Sequence, residues 1–248
     1  MVARAITLLL VTYLGMVPVV LSRVLGPRLP KLWPVPLWLT MAHLWGKICL
    51  WLCGARVRVH GTPISKGLMM ANHTGWIDIF TLLAAERVVF ISKADVAQWP
   101  FVGILSRQIG TVYIERKRSQ AKAQQVQILD PIRQGYRLVV FPEGTSTDGQ
   151  RVLPFRTSLF QAVMDTDVPV QPVSVIYHPN APLPKSFYGW WGSTALGPHL
   201  KAVFALASGN VVDVVFHEAL DPRDFEGRKA LAKACEGQVR DGLTQYLS

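Results

Sequence analysis

Two apolar stretches open the chain. Residues 5–22 carry no charge, and after a polar break at 23–31 a second apolar stretch runs from 32 to 53. Neither has the composition of an uninterrupted membrane span, because Gly15 and Pro18 break the first while Pro34, Pro36, His43 and Lys47 punctuate the second. The pattern predicts a helical, membrane-associated segment over residues 1–53, either as a hairpin sunk into one leaflet or as a crossing. A secretory leader is the competing reading, since Arg4 precedes an apolar run, but no small-residue cleavage site of the Ala-x-Ala kind follows. Beyond Gly54 the period changes. Short apolar runs predict strands at 56–60, 68–71, 88–92, 111–114, 138–141, 168–177 and 211–216. Between and after them, helical patterns fall at 77–86, 101–108, 119–134, 159–165, 200–207 and 225–246. The alternation predicts an α/β fold: one layered αβα domain over residues 54–248, anchored by the apolar N-terminal helical hairpin. Residues 189–197 read as a loop, whose Trp190 and Trp191 either plug the core or sit at a membrane interface.

Composition adds a partner to this picture. A chain of 248 residues can bury one sizeable core, and with 50% hydrophobic and only 17% charged residues part of its surface is expected to meet lipid. A net charge of +10 calls for an anionic partner, membrane or nucleic acid. Arg23, Arg28, Lys31, Lys47, Arg56 and Arg58 flank or punctuate the apolar front, where they can pair with lipid phosphates, and no nucleic-acid motif occurs. The expected partner is therefore a membrane surface and not nucleic acid; Lys122, Arg133, Arg228 and Lys229 read equally well as solvated charges. Cys49, Cys53 and Cys235 make an odd count, which points to reduced thiols and a domain on the cytoplasmic side of the membrane. No Cys-x-x-Cys pair and no ligand spacing among the histidines occur, so no metal is expected.

The segment Ala71-Asn72-His73-Thr74-Gly75-Trp76-Ile77-Asp78 follows a short apolar strand and runs into a helix. Such junctions hold side chains at the open end of a sheet, where α/β proteins place their ligands. Asp78 lies about one turn into the helix, so its carboxylate can accept a hydrogen bond from one imidazole nitrogen of His73 and leave the other to take up a proton. The same two residues also read as a polar helix start without chemistry. A second segment, Leu138-Val139-Val140-Phe141-Pro142-Glu143-Gly144-Thr145-Ser146-Thr147-Asp148-Gly149, ends a buried strand in a polar turn. There Gly144 admits close backbone approach and exposed N–H groups can bind an anionic oxygen, though such a turn is as often an ordinary strand-end loop.

Together the segments resemble the glycerolipid acyltransferase family, which includes the 1-acylglycerol-3-phosphate and lysophospholipid acyltransferases. Asn72-His73 with Asp78 looks like its first motif, His-x4-Asp, and Gly110-Thr111-Val112-Tyr113-Ile114-Glu115-Arg116 is similar to its second. Phe141-Pro142-Glu143-Gly144-Thr145 matches the third and Val168-Pro169-Val170-Gln171-Pro172-Val173 resembles the fourth, all in the family's order. The resemblance implies transfer of a fatty acyl chain from acyl-CoA or acyl carrier protein to the hydroxyl of lysophosphatidic acid, with no acyl-enzyme and no cofactor beyond the donor. His73, oriented by Asp78, is the implied base, and backbone amides near Gly144 and Thr145 the oxyanion donors. Glu115, Arg116 and Glu143 are implied to hold the acceptor's glycerol phosphate, with Lys93 a further candidate, since a guanidinium fork suits phosphate. Without the resemblance, Arg116 is a solvated strand-end charge in Arg116-Lys117-Arg118. The acceptor, a membrane lipid, is expected to enter from the bilayer.

One departure bears on the acceptor. The third motif commonly continues Gly-Thr-Arg-Ser, whereas here Ser146-Thr147 follow Gly144-Thr145. Either Arg151 or Arg156 replaces the missing arginine, or the acceptor lacks a phosphomonoester, as a lyso-ornithine lipid does. Two functions of other classes compete. Ser146 with His73 and Asp78 superficially completes a serine-hydrolase triad, but Asp148 stands where the Gly-x-Ser-x-Gly elbow needs glycine. A non-enzymatic membrane-binding protein accounts for the apolar front and the charge and leaves the motif order unexplained.

Overall fold

Gly67–Ala71 are buried at every position, which leaves no solvent face and makes this the pattern of a central strand covered on both sides. The computed structural model describes residues 2–25, 36–100, 102–115, 121–164 and 166–247. In chain order its helices are α1 (Val2–Leu14), α2 (Met16–Leu25), α3 (Leu37–Leu52), α4 (Asp78–Ala85), α5 (Val102–Gln108), α6 (Ala121–Arg133), α7 (Leu196–Leu206) and α8 (Arg228–Leu247). The strands are β1 (Ala55–His60), β2 (Gly67–Ala71), β3 (Val89–Lys93), β4 (Val112–Ile114), β5 (Arg137–Val140), β6 (Val170–His178) and β7 (Asn210–Phe216). Among the described residues these strands form one 7-stranded sheet in the order β1-β7-β6-β2-β5-β3-β4. Only β6 and β7 pair antiparallel; β2 lies parallel between β5 and β6, with Leu68 opposite Leu138 on one side and Val170 on the other.

Alternation along the strands builds two cores. Met69, Ala71, Val139, Val173, Val175 and Val214 face Trp45, Cys49, Phe80 and Leu83 of α3 and α4. Leu68, Met70, Leu138, Val140, Ile176 and Val215 face Ile128 and Ile132 of α6 and Leu231, Cys235 and Val239 of α8. The result is the mixed α/β, three-layer arrangement that the sequence predicts. At one edge a buried carboxylate stitches three strands. Asp213 of β7 accepts from Arg58 Nε at 2.5 Å and His60 Nε2 at 2.8 Å on β1, and from His178 Nε2 of β6 at 2.8 Å. Burial pushes its carboxyl up, but the Arg58 and His60 hydrogen bonds outweigh that and hold it at about 2.

The expected anchoring hairpin at the N-terminus is not found. Helices α1, α2 and α3 have 13, 10 and 16 residues, and among the described residues no helix is long and apolar enough to cross a membrane. The reason is tertiary: α3 belongs to the packed core. Gly46 lets α3 lie directly on α4, where a β-carbon would fall 2.5 Å from Leu83 Cβ, and Trp45 Nε1 donates to the Val11 carbonyl of α1 at 3.1 Å. Met16 and Val19 of α2 are buried, while Leu10, Leu14, Val17 and Leu21 remain exposed. Two cations that the sequence offers to lipid phosphates are bonded at the surface to other groups of the protein. Arg23 donates to the Arg107 carbonyl at the end of α5 and lies 5.3 Å from the Trp38 ring, and Arg58 holds Asp213. Arg28 and Lys31 lie outside the described residues. All three cysteines are buried free thiols, and burial pushes the Cys49 thiol up to about 12.

Candidate active site

The site begins with an asparagine that continues the sheet beyond the end of β2. The buried Asn72 side chain accepts from the Val175 amide at 2.7 Å and donates to the Val175 carbonyl at 2.9 Å, mimicking a ladder pair with β6. The next residue, His73, leaves the sheet at its open end, and α4 starts at Asp78. His73 Nδ1 lies 2.7 Å from Asp78 Oδ2, and the ring is stacked on Phe141 with centroids 4.0 Å apart. Facing a carboxylate, Nδ1 carries the hydrogen, which leaves Nε2 as the proton acceptor. The imidazole keeps 23% of its surface exposed, whereas the Asp78 side chain has none.

A buried carboxylate needs a full set of donors. Asp78 Oδ2 also accepts the Thr74 amide at 2.7 Å and the Gly75 amide at 3.0 Å, and Oδ1 accepts the Tyr177 hydroxyl at 2.7 Å. Burial, together with the Asp78 charge, pushes the Tyr177 phenol well above its ordinary value, so it stays a neutral donor. Its hydroxyl also meets Thr81 Oγ1 at 2.9 Å. The position of Asp78 in the first turn of α4 adds the favourable end of the helix dipole.

The third-motif loop clamps the backbone of His73. Glu143 is buried, with Oε1 accepting the His73 amide at 2.7 Å and Oε2 the Leu153 amide at 2.8 Å. The Thr147 amide donates to the His73 carbonyl at 2.8 Å. Burial pushes the Glu143 carboxyl up to about 7, against the downward pull of the two amides. The Gly144 amide closes a turn onto the Phe141 carbonyl, whereas the Thr145 amide, in an exposed bend, and that of the half-buried Ser146 just after it donate to no group among the described residues. Two free amides at such a bend can receive an oxyanion.

The other candidates fall elsewhere. Lys93, at the end of β3, is exposed and paired with Asp95. Glu115 directly follows β4 and is exposed, and Arg116 lies outside the described residues. The Ser146 hydroxyl donates to the Trp190 carbonyl at 2.5 Å and makes no hydrogen bond to His73, which removes the hydrolase geometry. The Trp190 amide in turn donates to the Thr74 carbonyl at 2.9 Å, so the tryptophan loop buttresses both site loops. Tyr177, Thr147 and Trp190 are the site residues that sequence reasoning misses. The signal for Tyr177 is a polar tip at the end of a buried strand; Thr147 lies in the third-motif turn and Trp190 in the loop at 189–197, but no local pattern marks their contacts with His73 and Thr74.

Comparison with known proteins gives the same picture. Residues 56–176 match the family model described as Acyltransferase. A Rhodobacter capsulatus protein named lyso-ornithine lipid O-acyltransferase is 48% identical over 204 residues, covering 80% of this chain and 74% of that one. One of the same name from Rhizobium meliloti is 35% identical, covering 82% and 74%. The 1-acyl-sn-glycerol-3-phosphate acyltransferase of Neisseria gonorrhoeae is 32% identical over a shorter region, 45% of this chain and 44% of that one. Among solved structures, the 1-acyl-sn-glycerophosphate acyltransferase PlsC from Thermotoga maritima shares the fold, with a TM-score of 0.63 at 22% identity over 99% of this chain and 98% of that one.

Proposed function

Because the chain belongs to the glycerolipid acyltransferase family and is an O-acyltransferase acting on lysolipids, we propose that its acceptor is a lyso-ornithine lipid rather than lysophosphatidic acid. The observation that carries this reading is the long, high-identity similarity to the Rhodobacter capsulatus enzyme, set beside a shorter and weaker one to the glycerol-phosphate enzymes. The loss of the third-motif arginine, replaced by Ser146, points the same way. The expectation of lysophosphatidic acid rested on a resemblance to the family as a whole, which does not by itself name the acceptor.

In this reading His73 Nε2 takes the proton of the acceptor hydroxyl as its oxygen attacks the thioester carbonyl of acyl-CoA or acyl carrier protein. The tetrahedral oxyanion is met by the Thr145 and Ser146 amides, and its collapse forms the ester and expels the thiolate. Asp78 holds the imidazole in its tautomer and balances the imidazolium. No metal or redox cofactor enters, since a thiol is already a good leaving group. Glu143 acts by fixing the His73 backbone rather than by holding the acceptor. The exposed apolar residues of α1 and α2 would rest on the cytoplasmic face of the membrane, from which the acceptor enters.

The experiment is acyl transfer from labelled acyl-CoA to a panel of lysolipids by wild type and His73→Ala. Turnover of lyso-ornithine lipid is expected, falling by about 10²- to 10⁴-fold in the variant. Turnover confined to lysophosphatidic acid rejects this acceptor, and undiminished turnover by His73→Ala rejects the base.

A further inference from the structure

We propose that Arg156 binds the carboxylate of the acceptor's ornithine head group, an assignment that rests on the function proposed above. The side-chain hydroxyls standing where the family's third motif carries its arginine are already committed to carbonyls. The Ser146 hydroxyl donates to the Trp190 carbonyl, and Thr147 Oγ1 donates toward the His73 and Arg151 carbonyls. A cation reaches the same loop from elsewhere in the chain. The Arg156 amide donates to the Pro142 carbonyl at 2.9 Å and its Nε to the Glu143 carbonyl at 3.3 Å, which lays the guanidinium against Gly144. A β-carbon on Gly144 would fall 2.7 Å from Arg156 Cζ, so glycine at 144 is what admits the guanidinium, besides supplying the loop's φ of +74°.

Charge pairing separates Arg156 from its neighbours. Arg151 is answered by Asp148 at 3.6 Å and Lys93 by Asp95. Arg156 is exposed, and no carboxylate among the described residues pairs with it. It therefore stands as an uncompensated cation on the loop whose Glu143 and Thr147 hold the His73 backbone. With Nε engaged, its two terminal nitrogens present a fork that matches one planar carboxylate through two parallel hydrogen bonds. A single fork suits the monoanionic carboxylate of an amino-acid head group better than a phosphomonoester, whose second charge calls for a further cation.

The test compares lyso-ornithine lipid with its carboxyl methyl ester as acceptors for wild type, Arg156→Gln and Arg156→Lys, with thermal melts to verify folding. Wild type is expected to prefer the acid by about 10- to 100-fold in kcat/KM, the worth of a charge-assisted pair. Arg156→Gln should lose this preference through the KM for the acid, and Arg156→Lys should restore part of it. A glutamine variant that keeps the acid preference, or that slows acid and ester equally, overturns the assignment and leaves the acceptor reading intact. Wild type that acylates lysophosphatidic acid and no lyso-ornithine lipid overturns both.

Discussion

At the scale of single residues, the site turns on two carboxylates whose surroundings differ. Asp78 has charge-compensating donors on both oxygens, three of them on Oδ2. Glu143 is buried with two backbone amides, and burial dominates, holding its carboxyl at about 7 instead of the ordinary 4.5. A carboxyl raised in the folded state favours folding at low pH, and that contribution is lost as pH climbs through the window from 4.5 to about 7. The full swing is about 3 kcal/mol at most. Activity runs the opposite way, because the anion accepts both amides and a protonated carboxyl turns one oxygen into a donor, loosening the His73 clasp. Wild-type melting temperature should therefore fall relative to Glu143→Gln across this window while wild-type kcat rises, and parallel melting curves for the two proteins would contradict the assignment. At this scale the sequence displayed His73 and Asp78, since a five-residue spacing across a strand-to-helix junction is local. It assigned Glu143 to the acceptor, whereas the side chain turns inward, because the Leu153 amide that receives it comes from a loop whose path no local pattern encodes.

At the scale of elements, α4 carries Asp78 and takes its position from α3. Gly46 sets that distance, so Gly46→Ala should wedge the helices apart and cost about 1–3 kcal/mol, with a matching loss of acyl transfer as Asp78 shifts. A urea denaturation midpoint equal to wild type would show that the contact is not tight. Strand positions were readable because apolar runs of β-branched residues are confined to single segments, as in Val170–His178. Where tertiary packing overrides local preference, the reading slipped. The expected helix at 159–165 is a short 3-10 turn over Thr157–Ala162, whose Leu159 and Phe160 are drawn into the core beneath α6 and α8. Helix α7 begins at Leu196, inside the stretch read as a loop, and Pro198 falls in its first turn, where proline is tolerated.

At the scale of the whole molecule, the surface combines a net charge of +10 with an apolar face on α1 and α2, where Leu10, Leu14 and Leu21 are 53%, 63% and 52% exposed. Flotation with anionic vesicles should recover the protein, more weakly at high salt. Replacing these three leucines by serine should lower the partition coefficient by about 100-fold, at 1 kcal/mol or so of lost apolar transfer each; equal partitioning would place the membrane contact elsewhere. The sequence by itself determined the alternation of strands and helices, the layered class and the order of the motifs, because each is written in local periodicity or in residues adjacent along the chain, and the reaction came from the resemblance of those motifs to a known family. The tertiary structure decided the strand order, the absorption of α3 into the core, the Tyr177 hydroxyl on Asp78 and the guanidinium of Arg156 on Gly144. These join positions far apart in sequence, such as residues 78 and 177, and long-range packing selects such partners from many of equal local propensity.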